Sequence, residues 1–170
     1  MQTGNTGASV AASGNGDASS SRSLIGGLLN LQDILLGLEA ANRRELFDAV
    51  DRHVAHAHGL PKGLAALSLT NRERIGSTGL GAGVAVPHAR LRQLGHVCLV
   101  YARLGAAIDF GAPDGHPVQH VLVLLVPEQA CQQHLDIILA DMTRVFQNPR
   151  FRQRLHRCNC AQEVKQLFGS

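Results

Sequence analysis

The sequence contains no tryptophan, and aromatic residues make up only 4% of the chain. So few rings leave little surface on which the bases of single-stranded nucleic acid can stack. The formal net charge of +3 is also too small to indicate a polyanionic partner. We therefore expect no nucleic-acid partner.

Long apolar runs are missing as well, since the longest is the six-residue segment from Val121 to Val126. A helix that crosses a bilayer needs about 20 consecutive apolar residues. Residues 1–22 lack the basic start and apolar middle of a secretory signal peptide. We expect a cytoplasmic protein without membrane insertion.

Paired metal-ligand motifs are absent too. The four cysteines show no C-x-x-C spacing, and we expect reduced thiols: Cys98, Cys131, Cys158 and Cys160. His53, His56 and His58 lie at the end of a predicted helix, where cationic side chains are favourable in any case. Because 53 and 56 are one turn apart while 58 points elsewhere, we expect no metal site there.

Residues 1–23 consist mainly of Gly, Ser, Ala and Asn, with almost no large apolar side chain. Such a segment cannot bury enough surface to offset the entropy of ordering, so it is predicted to be a disordered tail. Residues 24–170 have the length and apolar content of one folded domain.

Two nearly continuous apolar runs, Val97–Leu104 and Val118–Val126, predict strands that are covered on both faces. Residues 31–38 are compatible with a helix or a strand, and we favour a short helical turn followed by a strand ending near Glu39. Together these runs indicate a sheet with helices on each side.

Asn42 is predicted to cap a helix that ends at Gly59, with Glu45 completing a capping box. Pro61 is predicted to open a second helix. The shared face of that helix comprises Leu60, Leu64 and Leu67. Glu128–Asn148 is predicted to be the longest helix, and two shorter helices follow it.

Four glycines fall within eight positions of one loop: Gly76, Gly79, Gly81 and Gly83. Arg72 and Arg74 precede this loop, and Pro87-His88 follows it. Glycine lets a ligand approach the backbone closely, while proline stiffens the support of the histidine. An imidazole beside backbone N–H groups and guanidinium groups is typical of a phosphoryl-transfer site.

The segment from Arg72 to His88, R-E-R-I-G-S-T-G-L-G-A-G-V-A-V-P-H, resembles an active-site signature. It is that of the enzyme IIA proteins of the bacterial phosphoenolpyruvate-dependent phosphotransferase system, and the nitrogen-regulatory type is the nearest match. The resemblance runs from Leu28 to Phe168. It implies an α/β fold, a three-layer sandwich with a mixed central β-sheet flanked by helices.

The resemblance also implies that His88 is the phosphoryl acceptor, as tele-phosphohistidine, with His134 and Arg72 around the phosphoryl group. The implied donor is an HPr-like phosphocarrier protein, with no cofactor. Chemically, Arg72 can bind two phosphoryl oxygens at once. Hydroxyl and backbone N–H groups of the loop can add hydrogen bonds, from Ser77, Thr78 and Gly79.

Two positions depart from the family pattern. Ala89 stands where the family usually has glycine after the histidine. Asp136 stands where some nitrogen-type relatives have another histidine.

Three functions remain open at this stage. The first is a phosphohistidine carrier that regulates target proteins, such as a potassium transporter or a sensor kinase, according to its phosphorylation state. The second is the IIA component of a fructose- or mannitol-type sugar permease, which passes the phosphoryl group to a IIB domain. The third is an anion-binding module without catalysis.

Overall fold

A computed structural model describes residues 23–170 and contains a sheet of six strands. The strands are β1 (Leu29–Leu38), β2 (Gly79–Gly81), β3 (Val84–Ala85), β4 (His88–Leu91), β5 (Cys98–Ile108) and β6 (Val118–Pro127). The helices are α1 (Leu24–Leu28), α2 (Arg43–His58), α3 (Leu64–Ile75), α4 (Gln132–Gln147), α5 (Pro149–Arg157) and α6 (Ala161–Phe168).

The sheet is mixed, and β6 is the strand that pairs with β3, β4 and β5. The strand order is β1-β5-β6-β3-β2, and β4 pairs with β6 beyond the end of β3. β5 is antiparallel to β6 and parallel to β1, whereas β3 and β4 are both parallel to β6. One apolar cluster buries a face of the sheet against α2 and α3, and a second buries the other face against α1, α4, α5 and α6. The predicted three-layer α/β fold is confirmed.

The capping signals of α2 are confirmed in detail. The side chain of Asn42 accepts a hydrogen bond from the N–H of Glu45 at 3.0 Å. The Glu45 carboxylate reaches back to the N–H of Ala41 at 2.8 Å. Gly59 ends the helix with φ of 67°, a left-handed conformation that glycine adopts without a steric penalty. The predicted strand that ends near Glu39 is also present, as β1 after the single turn of α1.

The prediction for the second helix is wrong at its start. α3 begins at Leu64 rather than Pro61, because the carboxylate of Asp51 accepts hydrogen bonds from the N–H groups of Gly63 and Ala66, at 2.7 and 3.2 Å. Leu60 therefore lies before the helix and out of phase with it. Leu67 is 61% exposed, and the buried residues of α3 include Ala65 and Leu69 instead.

Two further boundaries differ from the predictions. α4 begins at Gln132 rather than Glu128, because residues 127–130 form a turn before Cys131 caps the helix. The prediction that it is the longest helix is wrong, because α2 and α4 both have 16 residues. Ser23, assigned to the tail, is buried and caps α1, and its hydroxyl donates to Asp141 at 2.9 Å.

The predicted disorder of residues 1–22 lies outside the described residues. In residues 23–170, no helix is both long and apolar enough to cross a membrane.

Candidate active site

His88 is the first residue of β4, which lies at the edge of the described sheet. The strand is anchored through its neighbour, because the carbonyl of Pro87 accepts a hydrogen bond from the N–H of Leu124 at 2.9 Å. The His88 side chain is half-buried. A rigid, partly covered strand end thus presents the imidazole to a cavity.

Two hydrogen bonds fix which ring nitrogen of His88 is free to react. Nδ1 lies 3.0 Å from the carbonyl oxygen of Val86, and Nε2 lies 3.1 Å from Nε of Arg72. A carbonyl only accepts and a guanidinium only donates, so Nδ1 carries the proton and Nε2 carries the lone pair. Burial, aided by the Arg72 charge and opposed by the Val86 carbonyl, holds the pKa of His88 below its usual value. Nε2 is therefore an available nucleophile.

Arg72 lies in the last turn of α3 and is half-buried. Its Nη1 donates to the carbonyl of Gly76 at 3.0 Å, which holds the guanidinium against the end of the helix. The side chain reaches His88 from this position, so the structure brings the two residues together as the resemblance implied.

A cavity of about 540 Å³ opens between α3 and α4, directly beside His88. It is mixed in character, with two arginines, one carboxylate and several apolar side chains. Its lining residues are Ser68, Asn71, Arg72, Ile75, His88, Ala89, Arg90, Gln132, Leu135, Asp136 and Leu139. A cavity of this composition can hold an anionic group against the imidazole.

The structure does not place His134 in this cavity. Its side chain is exposed on the first turn of α4, and the lining residues from that helix are Gln132, Leu135, Asp136 and Leu139. These four recur at i, i+3, i+4 and i+7, the spacing of one helical face, and that spacing was the sequence signal that the prediction missed. A path of hydrogen bonds runs from Arg90 to Gln132 at 3.0 Å and from Gln132 to Asp136 at 2.7 Å.

Thr78 is buried and bound within the loop. Its N–H and its hydroxyl both donate to the carboxylate of Glu73, at 2.9 and 2.6 Å. Glu73 also contacts Arg43 at 3.5 Å. Both polar groups of Thr78 therefore serve to close the loop onto α3.

Ser77 is exposed, and its hydroxyl accepts a hydrogen bond from the N–H of Gly79 at 3.2 Å. Gly79 packs so closely on Ala112 that an added Cβ would lie 2.8 Å from the Cβ of Ala112. The role of Ser77, Thr78 and Gly79 in phosphate binding stays a prediction.

The remaining glycines of the loop form the tip of a hairpin between β2 and β3. Gly81, Ala82 and Gly83 all have positive φ, and the N–H of Ala82 donates to Asp114 at 2.8 Å. This hairpin pairs near His120 of β6, four residues before the partner of His88, which is roughly 13 Å along a strand. The hairpin tip and the imidazole therefore occupy separate parts of the sheet.

One expectation about the histidines outside this site is wrong. His58 does not point away from His53, because Nε2 of each ring lies 2.8 Å from the same carboxylate oxygen of Asp33. The strand that carries Asp33 was not connected with α2 in the sequence analysis. The four cysteines are free, as expected.

Comparison with known proteins assigns this fold to a family. Residues 27–170 match the family model described as "Phosphoenolpyruvate-dependent sugar phosphotransferase system, EIIA 2". The chain belongs to this family.

Within the family, the chain is similar to proteins of the nitrogen-regulatory type. A nitrogen regulatory protein of Pseudomonas aeruginosa is 38% identical over 100 residues, 59% of this chain and 64% of the relative. One of Bradyrhizobium diazoefficiens is 31% identical over 136 residues, 80% of this chain and 88% of the relative. The chain thus spans just under two thirds of the Pseudomonas protein and most of the Bradyrhizobium protein.

Solved structures give the same result. The crystal structure of nitrogen regulatory protein IIA-Ntr from Neisseria meningitidis has a TM-score of 0.79 and 34% identity, covering 86% of this chain and 99% of that one. The crystal structure of IIA mannitol from Escherichia coli has a TM-score of 0.69 and 20% identity, covering 82% and 98%, and shows the shared fold alone. These likenesses confirm the predicted family and type. The nitrogen-regulatory relatives support the regulatory phosphocarrier role.

Proposed function

We propose that this chain is a phosphohistidine carrier that accepts a phosphoryl group on Nε2 of His88 from an HPr-like phosphocarrier. The observation that carries the proposal is the pair of hydrogen bonds on the His88 ring. The carbonyl of Val86 holds the proton on Nδ1, so the lone pair of Nε2 faces the cavity, where Nε of Arg72 lies 3.1 Å from it.

The transfer requires little bond chemistry from the protein beyond this arrangement. The lone pair of Nε2 attacks the phosphorus in line with the donor's P–N bond, which breaks as the new P–N bond forms. The donor imidazole leaves with the electron pair of its old bond. As Nε2 gives up electron density, the carbonyl of Val86 stabilises the positive charge that develops on the ring through Nδ1–H.

Arg72 has a second task once the phosphorus arrives. Its guanidinium must release Nε2, and it then lies within reach of the phosphoryl oxygens, to which it can donate two hydrogen bonds. Its tie to the Gly76 carbonyl limits how far it moves. We assign it the role of binding and orienting the phosphoryl group, with no metal ion required.

Asp136 brings a negative charge to the same cavity, where it faces an incoming dianion. We propose that this carboxylate keeps phosphorylated His88 ready to pass its phosphoryl group on, since like charges destabilise the loaded state. The resemblance implied that His134 lies beside the phosphoryl group. Because its side chain is exposed, we propose instead that His134 contacts a docked protein.

The surface around the cavity suits a protein donor. Ile75 lines the cavity and is 84% exposed, and Leu67 on the same helix is 61% exposed. Ile137 on α4 is 49% exposed. Exposed large apolar side chains beside a functional cavity are typical of a protein interface. We infer that the HPr-like carrier docks across α3 and α4.

The output of such a carrier is regulatory, through target proteins that distinguish its two phosphorylation states. We propose that it acts in the cytoplasm on targets such as a potassium transporter or a sensor kinase. The alternative is delivery of the phosphoryl group to a IIB domain of a fructose- or mannitol-type permease.

Intact-mass analysis tests the carrier proposal. The chain is incubated with phosphoenolpyruvate, enzyme I and an HPr-like carrier, in wild-type, His88→Ala and His56→Ala forms. His56 is an exposed histidine on α2 and serves as the matched control. We expect one acid-labile phosphoryl adduct on the wild type and on His56→Ala, and none on His88→Ala. An unmodified wild type, with the relay active on a known acceptor, would favour the anion-binding module.

A second assay separates the two carrier functions. Phosphorylated chain is mixed with a fructose- or mannitol-type IIB domain, and the label on each protein is followed over time. Retention of the label supports the regulatory role, whereas transfer as fast as from a sugar-specific IIA protein supports the permease role.

A further inference from the structure

A buried carboxylate with two histidines around it lies outside the phosphoryl-transfer site. The Asp33 side chain is 0% exposed, and its Oδ1 lies 2.8 Å from Nε2 of both His53 and His58. The imidazoles are themselves largely covered, with side-chain exposures of 17% and 7%. Surface ion pairs are rarely so enclosed, and a carboxylate is buried only when it is paired or coordinates a metal.

A third type of ligand completes the cluster, because Cys98 lies next to Asp33 and His58. A carboxylate oxygen of Asp33, a ring nitrogen of His58 and the sulfur of Cys98 all lie within 4.8 Å of one another. Around tetrahedral zinc, nitrogen ligands at about 2.0 Å and sulfur at about 2.3 Å are roughly 3.3–3.8 Å apart. These three side chains therefore need only small movements to close on an ion, whereas His53 lies outside that group and must move in from its contact with Asp33.

The backbone is shaped to bring Asp33 inward. Leu29 of β1 pairs with Leu99 of β5, and Ile34 pairs with Tyr101, so four residues of β1 stand where β5 has only one. Such a bulge redirects side chains, and bulges are common next to functional sites. Here it turns Asp33 toward the last turns of α2 and the first residue of β5.

We propose that Asp33, His53, His58 and Cys98 form a binding site for a divalent metal ion of borderline softness, with zinc as the best match. Two imidazoles, a carboxylate and a thiolate form a donor set that zinc accepts in tetrahedral geometry. The ion joins β1, α2 and β5. This site is separate from the phosphoryl-transfer chemistry and makes no contact with His88.

Binding rearranges protons in a defined way. Each neutral ring donates its Nε2–H to Asp33, so ligation through Nε2 requires that proton to leave Nε2 and a proton from solvent to add at Nδ1, which keeps each ring neutral. The thiol of Cys98 releases its proton to solvent as it becomes a ligand. Burial, with Asp33 adding to it, raises the pKa of the free Cys98 thiol to about 12, so the metal-free thiol is unreactive. A coordinated cation reverses that effect.

Cobalt(II) titration of the full chain tests the site, because cobalt replaces zinc and reports on sulfur ligands. The protein is reduced, freed of metal with a chelator and titrated with Co²⁺ under anaerobic conditions. We expect stoichiometric binding with tetrahedral d–d bands and a thiolate-to-cobalt charge-transfer band, both of which disappear when Zn²⁺ is added. Wild-type protein that binds no stoichiometric cobalt would overturn the proposal.

Matched variants locate the ligands. Cys98→Ser should remove the charge-transfer band, and His53→Gln and His58→Gln should each weaken binding at least roughly tenfold. The controls are Cys158→Ser, a buried cysteine outside the cluster, and His56→Gln, an exposed histidine of the same helix. Both controls should bind like the wild type, and a control that loses binding as the cluster variants do would refute the assignment. Phosphorylation of His88 in the same samples, measured by intact mass, reports separately on the proposed carrier function.

Discussion

Nε of Arg72 lies 3.1 Å from Nε2 of His88, the ring nitrogen that carries the lone pair. In the proposed transfer, the arginine occupies the position that the phosphorus atom would take, and it would move from the nucleophile to the phosphoryl oxygens. Its bond to Nε2 would orient the imidazole before the donor arrives, and its charge would stabilise the phosphoryl group afterwards.

Arg72→Lys tests whether the planar guanidinium is needed. Lysine keeps the charge but cannot donate two parallel hydrogen bonds to one phosphoryl group. A lost charge-assisted hydrogen bond costs about 1.5–3 kcal/mol, so phosphorylation of His88 should slow by roughly ten- to a hundredfold. Rapid-quench kinetics with phosphorylated carrier measures the rate, and Arg74→Lys, an exposed neighbour, is the control. Equal rates for both variants would contradict the assignment.

The pH dependence of transfer follows from the lowered pKa of His88. Protonation of Nε2 blocks the nucleophile, and burial with the Arg72 charge disfavours the protonated ring. Acceptance should therefore fall with a midpoint below about pH 6.5, the pH at which an ordinary imidazole is half-protonated. NMR titration of the His88 ring checks this. Arg72→Gln should raise the midpoint, and a wild-type midpoint at or above the ordinary value would refute the expectation.

Substitutions of Asp136 and His134, two residues apart on α4, are expected to change the phosphorylation equilibrium of His88 by different amounts. Removing the Asp136 charge with Asp136→Asn should shift the equilibrium toward phosphorylated His88 by about 1 kcal/mol, or roughly fivefold. His134→Gln, at an exposed position outside the cavity, should shift it less than about twofold. The fraction phosphorylated at equilibrium with the donor gives both numbers. A larger effect from His134→Gln would restore the histidine to the site.

Alanine substitutions at Gly79 and Gly76 test whether close packing, rather than the glycine content of the loop, determines stability here. Gly79→Ala should cost about 1–3 kcal/mol of unfolding free energy, because the new Cβ meets Ala112 at 2.8 Å. Gly76→Ala places its Cβ in open space, and an effect within about 0.5 kcal/mol is expected. Denaturant unfolding measures both. Adding Ala112→Gly to Gly79→Ala should recover part of the loss, and no recovery would argue against this contact as the cause.

The lowered pKa of His120 predicts how the stability of the fold depends on pH. Burial, with the charges of His156 and Arg103, lowers the pKa of His120 to about 4. Its Nδ1 lies 2.8 Å from the hydroxyl of Tyr101. The unfolded chain therefore binds the proton first, and stability falls as the pH drops from the ordinary histidine range toward about 4. His120→Asn should flatten this slope, whereas His116→Asn, an exposed histidine, should not.

The sequence by itself determined much of the architecture. The apolar runs that became β5 and β6 could be read directly, because a strand covered on both faces admits few polar residues. The cap of α2 at Asn42 and its end at Gly59 are local signals that need no tertiary contact. The signature from Arg72 to His88 lies within one short segment, and it supplied the family.

The tertiary structure alone decided which distant side chains meet. Asp33 faces His53 and His58 only because the bulge in β1 redirects it, and no local pattern specifies where a bulge falls. Asp136 rather than His134 lines the cavity because the rotation of α4 is set by packing of its apolar face on the sheet. Such pairings depend on strand register and helix orientation, which the whole core fixes at once.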